Sequence, residues 1–166
     1  MEPLDRTDRA ILAILQQDAR ISNKEMAARV GLAPSSCSER LRRLDRLGVF
    51  RGFHASIDPE ALGIGLEAMV SVRLRRHGGS EVDTFRGRAA DRPEVVGVFH
   101  VTGATDFLVH VVVRDAGHLR DLIVSVISSW PEVGHIETSL VFDHLSKPGL
   151  PDLGEDVDEV ARMVRS

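Results

Sequence analysis

The chain has 166 residues, 43% of them hydrophobic, enough for one or two domains with packed cores. It has no apolar run near the roughly 18 residues that span a bilayer and no basic-then-apolar start typical of a secretory signal; its single cysteine, Cys37, excludes an internal disulfide framework and fits a reducing cytoplasm, the expected location. The net charge of −4 argues against a nucleic-acid binder until it is resolved along the chain: residues 1–52 carry ten Arg or Lys against seven Asp or Glu, whereas 53–145 carry eight against thirteen.

Three helices are predicted in the first fifty residues. Asp5, with Asp8 three positions on, reads as an N-cap ahead of the stripe Ile11, Leu12, Leu15. Ser22 and Glu25 have the spacing of a capping box, and Ile21 and Met26 that of a hydrophobic staple. Met26, Ala27 and Val30 form the apolar face of the second helix, and Gly31 ends it. Pro34 suits the first position of a third helix, whose Cys37, Leu41 and Leu44 share one face until Gly48 stops it. Residues 49–57 read as a short strand or hinge, and Asp58-Pro59-Glu60 opens a helical turn ending near Gly63.

From Gly65 the period becomes two. Leu66, Ala68, Val70, Val72 and Leu74 alternate with polar or exposed-type positions, as in a half-buried strand. A helix from Ser80 carries Val82, Phe85 and Ala89. Strands over 95–102 and 107–113 flank the turn at Gly103-Ala104 and must run antiparallel across so short a link. Leu119, Leu122, Ile123, Val126, Ile127 and Trp130 keep helical spacing, and Ile136, Thr138, Leu140 and Phe142 alternate as a last strand. The order βαββαβ is that of the ferredoxin-like split. One face of such a sheet lacks helices, so a second subunit is expected on it. The expected fold is therefore α+β: a helix-turn-helix domain, winged-helix-like, over 1–50, a hinge strand and linker over 51–64, a ferredoxin-like domain over 65–145, and a tail over 146–166. The tail reads as a Pro/Gly linker, beyond which Val157, Val160, Ala161 and Val164 read either as one amphipathic helix or as part of an acidic disordered tail.

With Cys37 at the centre of the buried side of helix three, a rotation of about 100° per residue turns Ser35, Ser38, Glu39, Arg42 and Arg46 outward, with Ser36 and Arg43 flanking. Short hydroxyls near a helix N-terminus, followed by arginines, suit major-groove reading, since a guanidinium grips guanine O6 and N7 together. Lys24 and Arg51 are expected on phosphates. Double-stranded DNA is the expected partner.

The phrases LDRTDRAIL, ISNKEMAARVGL, ERLRRLDRLGV and DPEALG occur in the order found in the leucine-responsive/asparagine regulators, the Lrp/AsnC family, and this sequence resembles that family over residues 4–145. VTGATDFLVHVVVRD resembles its glycine-aspartate turn between two strands, and HIETSLVF its last strand. The resemblance implies a transcription regulator whose second domain senses an amino acid or related metabolite. It implies dimers that associate further, often to octamers, with the effector between dimers. Matched motifs imply an effector site at Thr102, Gly103, Ala104, Thr105 and Asp106, with Glu137, Thr138 and Ser139 opposite. A glycine turn exposes amides that hold a carboxylate, and Asp106 either accepts from an ammonium or bonds turn backbone. Two positions depart from the family pattern. Ala33 replaces the usual serine cap, a loss of about 1 kcal/mol, and Cys37 replaces a small branched residue.

Other classes fit less well. The seven histidines, including His54, His77, His100 and His110, have no metal-ligand spacing, and neither a metal nor a cofactor beyond the effector is expected. A tetrapyrrole decarboxylase of related architecture could dispense with a polar third-helix face, which is intact here. No nucleophile–base pair or G-x-G-x-x-G run favours an enzyme. A sensing module that does not bind DNA is the remaining alternative.

Overall fold

The computed structural model describes residues 3–76, 78–147 and 149–153. The chain divides into two compact units, one of Met1–Ala55 with Leu145–Ser166 and one of Ser56–His144. The amphipathic stripe expected at Val157–Val164 lies outside the described residues.

The first unit is a three-helix bundle of α1 (Arg6–Gln17), α2 (Asn23–Arg29) and α3 (Pro34–Arg46). Asp5 caps α1 in a reciprocal box: its carboxylate accepts from the Asp8 amide at 2.8 Å, and Asp8 accepts from the Asp5 amide at 3.2 Å. At α2 only half of the expected box forms. Ser22 Oγ accepts from the Glu25 amide at 3.1 Å, but the Glu25 carboxylate turns to Arg29 at 2.7 Å. A cation four residues on competes with the cap for it. Gly31, at φ 68°, closes α2 with two bonds, from its own N–H to the Ala28 carbonyl and from Leu32 N–H to the Ala27 carbonyl. α3 starts with Pro34 in its first turn and no side-chain cap at Ala33. The helices share a core of Ala10, Ile11, Ile14, Met26, Ala27, Val30, Cys37 and Leu44. Cys37 is fully buried there, and burial raises its thiol pKa, so it serves as a small apolar side chain.

Residues 49–57, expected as a short strand or a hinge, form no strand. A strand needs a partner edge, and the described residues of this unit hold no other strand. The segment after the sheet, read as a linker, returns to α1. Gln16 Oε1 accepts from the Leu150 amide at 2.6 Å, and Arg9 pairs with Asp152 at 2.5 Å.

The second unit opens with a single 3-10 turn at Pro59–Leu62, capped by Asp58. It continues through β1 (Leu66–Leu74), α4 (Gly79–Ala90), β2 (Val95–His100), β3 (Phe107–Val113), α5 (Ala116–Asp121) and β4 (Val133–Val141). All pairings are antiparallel, in the order β2-β3-β1-β4, which realises the expected split βαββαβ arrangement. Ala68, Val70, Val72 and Leu74 of β1 meet Phe107, Val109, Val111 and Val113 of β3 in one core beneath the helices. Phe85 of α4 lies 4.6 Å from Phe107 and meets Trp130 edge-on at 5.6 Å, ring centroid to centroid.

The helix expected over 119–130 changes pitch. After α5 the backbone takes one π turn at Leu122–Val126 and one 3-10 turn at Ile127–Ser129. Buried Leu122 and Ile127 are thus five residues apart, as a wider turn requires, while Val124 is exposed. On the opposite sheet face, the register aligns Met69 with His110 and Ser139, and Ser71 with Leu108 and Glu137. His110 Nε2 lies 2.9 Å from Glu67 on that face.

Candidate functional site

The packing of α3 fixes which of its residues face outward. Cys37 and Leu44 have no exposed surface, and this places Ser35, Ser36, Glu39, Arg42 and Arg46 in solvent, with Ser38 half-buried. Lys24 on α2 and Arg51 beyond α3 are exposed as well. Asn23 Nδ2 donates to the Pro34 carbonyl at 2.9 Å, tying the start of α2 to the start of α3. Sequence reading missed this residue, because its bond spans the turn and leaves no periodic mark.

Arg43 departs from the expected DNA-facing set. Its Nη1 donates at 2.8 Å to Asp8, which is completely buried, so the guanidinium is directed to α1. Arg40, which the helical rotation did not single out, donates to the same carboxylate at 2.9 Å and to Asp5 at 2.6 Å. Burial pushes the Asp5 carboxyl up, but the Asp8 amide and Arg40 outweigh it and hold it below its ordinary value. A depressed carboxyl stabilises the fold above the unfolded value of about 3.9, and that contribution is lost as pH falls through the folded value. In urea titrations, the parent is therefore expected to outlast Asp5→Asn at pH 6, and the gap is expected to narrow as the pH is lowered below the ordinary carboxylate range. A gap of the same size at every pH would show that the charge of Asp5 is immaterial.

The second group of residues lies at one end of the sheet. Gly103 has φ 118°, where a side chain is strained although a Cβ would meet open space. The turn around it is pinned to β1. Thr105 Oγ1 donates to the Val72 carbonyl at 2.7 Å, and the Asp106 amide donates to the same carbonyl at 3.0 Å. The Asp106 carboxylate accepts from the Leu74 amide at 2.8 Å, and Arg73 Nε donates to the Ala104 carbonyl at 2.9 Å. Thr102, Gly103 and Ala104 are exposed, so the tip of the turn is open while its base is fixed.

Glu137, Thr138 and Ser139 lie on β4, opposite Ser71, Val70 and Met69. Within one chain β1 stands between them and β3, where the turn ends. A polar strip runs part of that way: Arg73, bound to Ala104, faces His135 across the ladder, and His135 Nε2 lies 3.2 Å from Glu137. Thr138 is turned to the other face, in a recess of about 300 Å³ with Arg75, Ile123 and Ser128. Among the described residues, no group of three or more His, Cys, Asp or Glu is placed to hold a metal ion.

Profiles of known families match both units, the AsnC-type helix-turn-helix domain over residues 4–45 and the Lrp/AsnC ligand binding domain over 67–150. The chain belongs to the Lrp/AsnC family. It is 44% identical over 142 residues to the HTH-type transcriptional regulator AldR of Mycolicibacterium smegmatis, a match covering 86% of this chain and 83% of that protein. It is 32% identical to the DNA-binding transcriptional activator DecR of Escherichia coli, over 86% of this chain and 93% of that one. Among solved structures, a Neisseria meningitidis transcriptional regulator in complex with L-Met superposes with a TM-score of 0.82 at 31% identity, over 87% of this chain and 94% of that one. Like these members of the family, the chain is a helix-turn-helix transcription regulator and not an enzyme. Among the described residues no helix is long and apolar enough to cross a membrane.

Proposed function

We propose that this regulator reads duplex DNA with the outer face of α3 and answers to an amino acid or a related metabolite bound at the Gly103 turn. The supporting observation is the division of α3 into a fully buried apolar side and an exposed side bearing Ser35, Ser36, Glu39, Arg42 and Arg46. Lys24 and Arg51 hold phosphates, Ser38 contacts the backbone near the start of the helix, and Arg42 reads a base edge. The effector carboxylate meets the open amides of residues 102–104. Thr105 and Asp106 hold the turn in shape. Glu137, Thr138 and Ser139 of a second dimer close the site from the other side. Copies pair through the helix-free faces of their sheets, and dimers associate further, towards an octamer, in the cytoplasm. The bound L-Met of the Neisseria relative supports an amino acid as the effector class.

Two variants test the two halves separately. Arg42→Ala is expected to weaken binding to a selected duplex by about 1–3 kcal/mol if Arg42 grips a guanine; unchanged affinity in a titration removes it from the reading set. Gly103→Val is expected to abolish the rise in melting temperature that amino acids give the parent, since only a ligand bound to the folded state produces one, while DNA binding persists. An equal rise in parent and variant refutes the turn as the effector site.

A further inference from the structure

We propose that Asp8 sets the DNA specificity of this protein by withholding Arg40 and Arg43 from the phosphate backbone. The proposal rests on α3 being the reading helix. Capping α1 needs only one acceptor from Asp8, the oxygen that takes the Asp5 amide at 3.2 Å. Asp8 does more than that. It has no exposed surface, and it draws in two guanidinium groups from α3, Arg40 at 2.9 Å on one oxygen and Arg43 at 2.8 Å on the other. Asp5 takes a second bond from Arg40, at 2.6 Å. Both arginines keep about a third of their side-chain surface in solvent, 31% for Arg40 and 28% for Arg43, so they lie at the margin of the bundle and not deep within it.

Arg43 directly follows Arg42, on the helix that meets DNA. Released, its charge would reach phosphates. A phosphate contact strengthens binding to every sequence alike and carries no base information. Holding Arg40 and Arg43 on Asp8 therefore lowers affinity for arbitrary DNA while leaving Arg42 and Arg46 to discriminate. The same bonds fix the rotation of α3 about its axis, because they link it to the first turn of α1 over a separation of 32 and 35 residues.

The test compares a random-sequence duplex of about 30 base pairs with a duplex enriched by selection, across a salt series. Asp8→Asn keeps an acceptor for the Asp5 amide and removes the charge. It is expected to steepen the dependence of log affinity on log salt by about one unit, the increment for one added phosphate contact from Arg43, because Arg40 keeps its bond to Asp5. It should also tighten binding to the random duplex several-fold and narrow the ratio between the two duplexes. Arg43→Gln in the parent is expected to leave the salt slope unchanged, and in the Asp8→Asn background to reverse the steepening. Equal weakening on both duplexes with an unaltered slope would overturn the proposal, as would a slope flattened by about one unit in Arg43→Gln alone. If Asp8→Asn does not fold at the assay temperature, the single Arg43→Gln slope decides: unchanged supports withholding, flattened rejects it. Loss of α3 as the reading helix would register separately, as unchanged affinity in a variant that replaces Arg42 and Arg46 together by Ala.

Discussion

Phe85→Ala is expected to cost the second unit about 3–5 kcal/mol, the range for emptying a buried aromatic site. Phe85 is fully buried, and it touches both Phe107 of the sheet and Trp130 at the end of the irregular helix. Removing it opens a cavity between layers that close-packed neighbours fill only in part. A typical domain has about 5–15 kcal/mol in total, so such a loss takes a large share of it. Trp130 is the chain's sole tryptophan and lies edge-on to Phe85, so its fluorescence reports this unit directly. The urea midpoint read from Trp130 should drop sharply. An unmoved midpoint would mean that the two layers do not depend on this contact.

Leu44→Ala is the counterpart in the bundle, with an expected cost of about 2–5 kcal/mol. Leu44 is fully buried on the inner side of α3, beside Cys37. Its loss should loosen α3 and abolish DNA binding at temperatures where the second unit is intact. The two cores share no residue, so the Trp130 transition is expected to stay within about 0.5 kcal/mol of the parent, the usual range for independent sites. A shift in Trp130 as large as the loss of helicity would show the two units unfolding together.

The sequence made the helical faces plain because local periodicity carries them. Met26 and Ala27 in α2, Val30 at its C-cap, and Cys37 and Leu44 in α3 are all buried, as their spacing predicts, while Leu41 is half-buried. The order of strands and helices in the second unit was equally legible, since Val and Leu alternate against polar residues and short turns force antiparallel neighbours. Long-range partners were hidden. Asp8 read as a helix cap, and nothing local tells that Arg40 and Arg43 converge on it. Residues 49–55 have strand-forming composition, but pairing depends on an edge that the described residues of their unit do not supply. The π turn at Leu122–Val126 escaped notice because apolar residues at 122, 123, 126 and 127 satisfy a regular period and a widened one alike. At the candidate effector site Gly103 announced the turn, whereas Arg73 and Leu74, which hold it, lie on a strand some thirty residues earlier. Their contribution comes from cross-strand register, which single-sequence periodicity does not fix.

The return of Leu150 and Asp152 to α1 has a topological consequence. The sensing sheet is an insertion within the helical unit, and the polypeptide passes between the two bodies both before β1 and after β4. During synthesis α1 emerges before the sheet and acquires its Leu150 and Asp152 neighbours after it, so the helical unit is completed only once the sheet has been made.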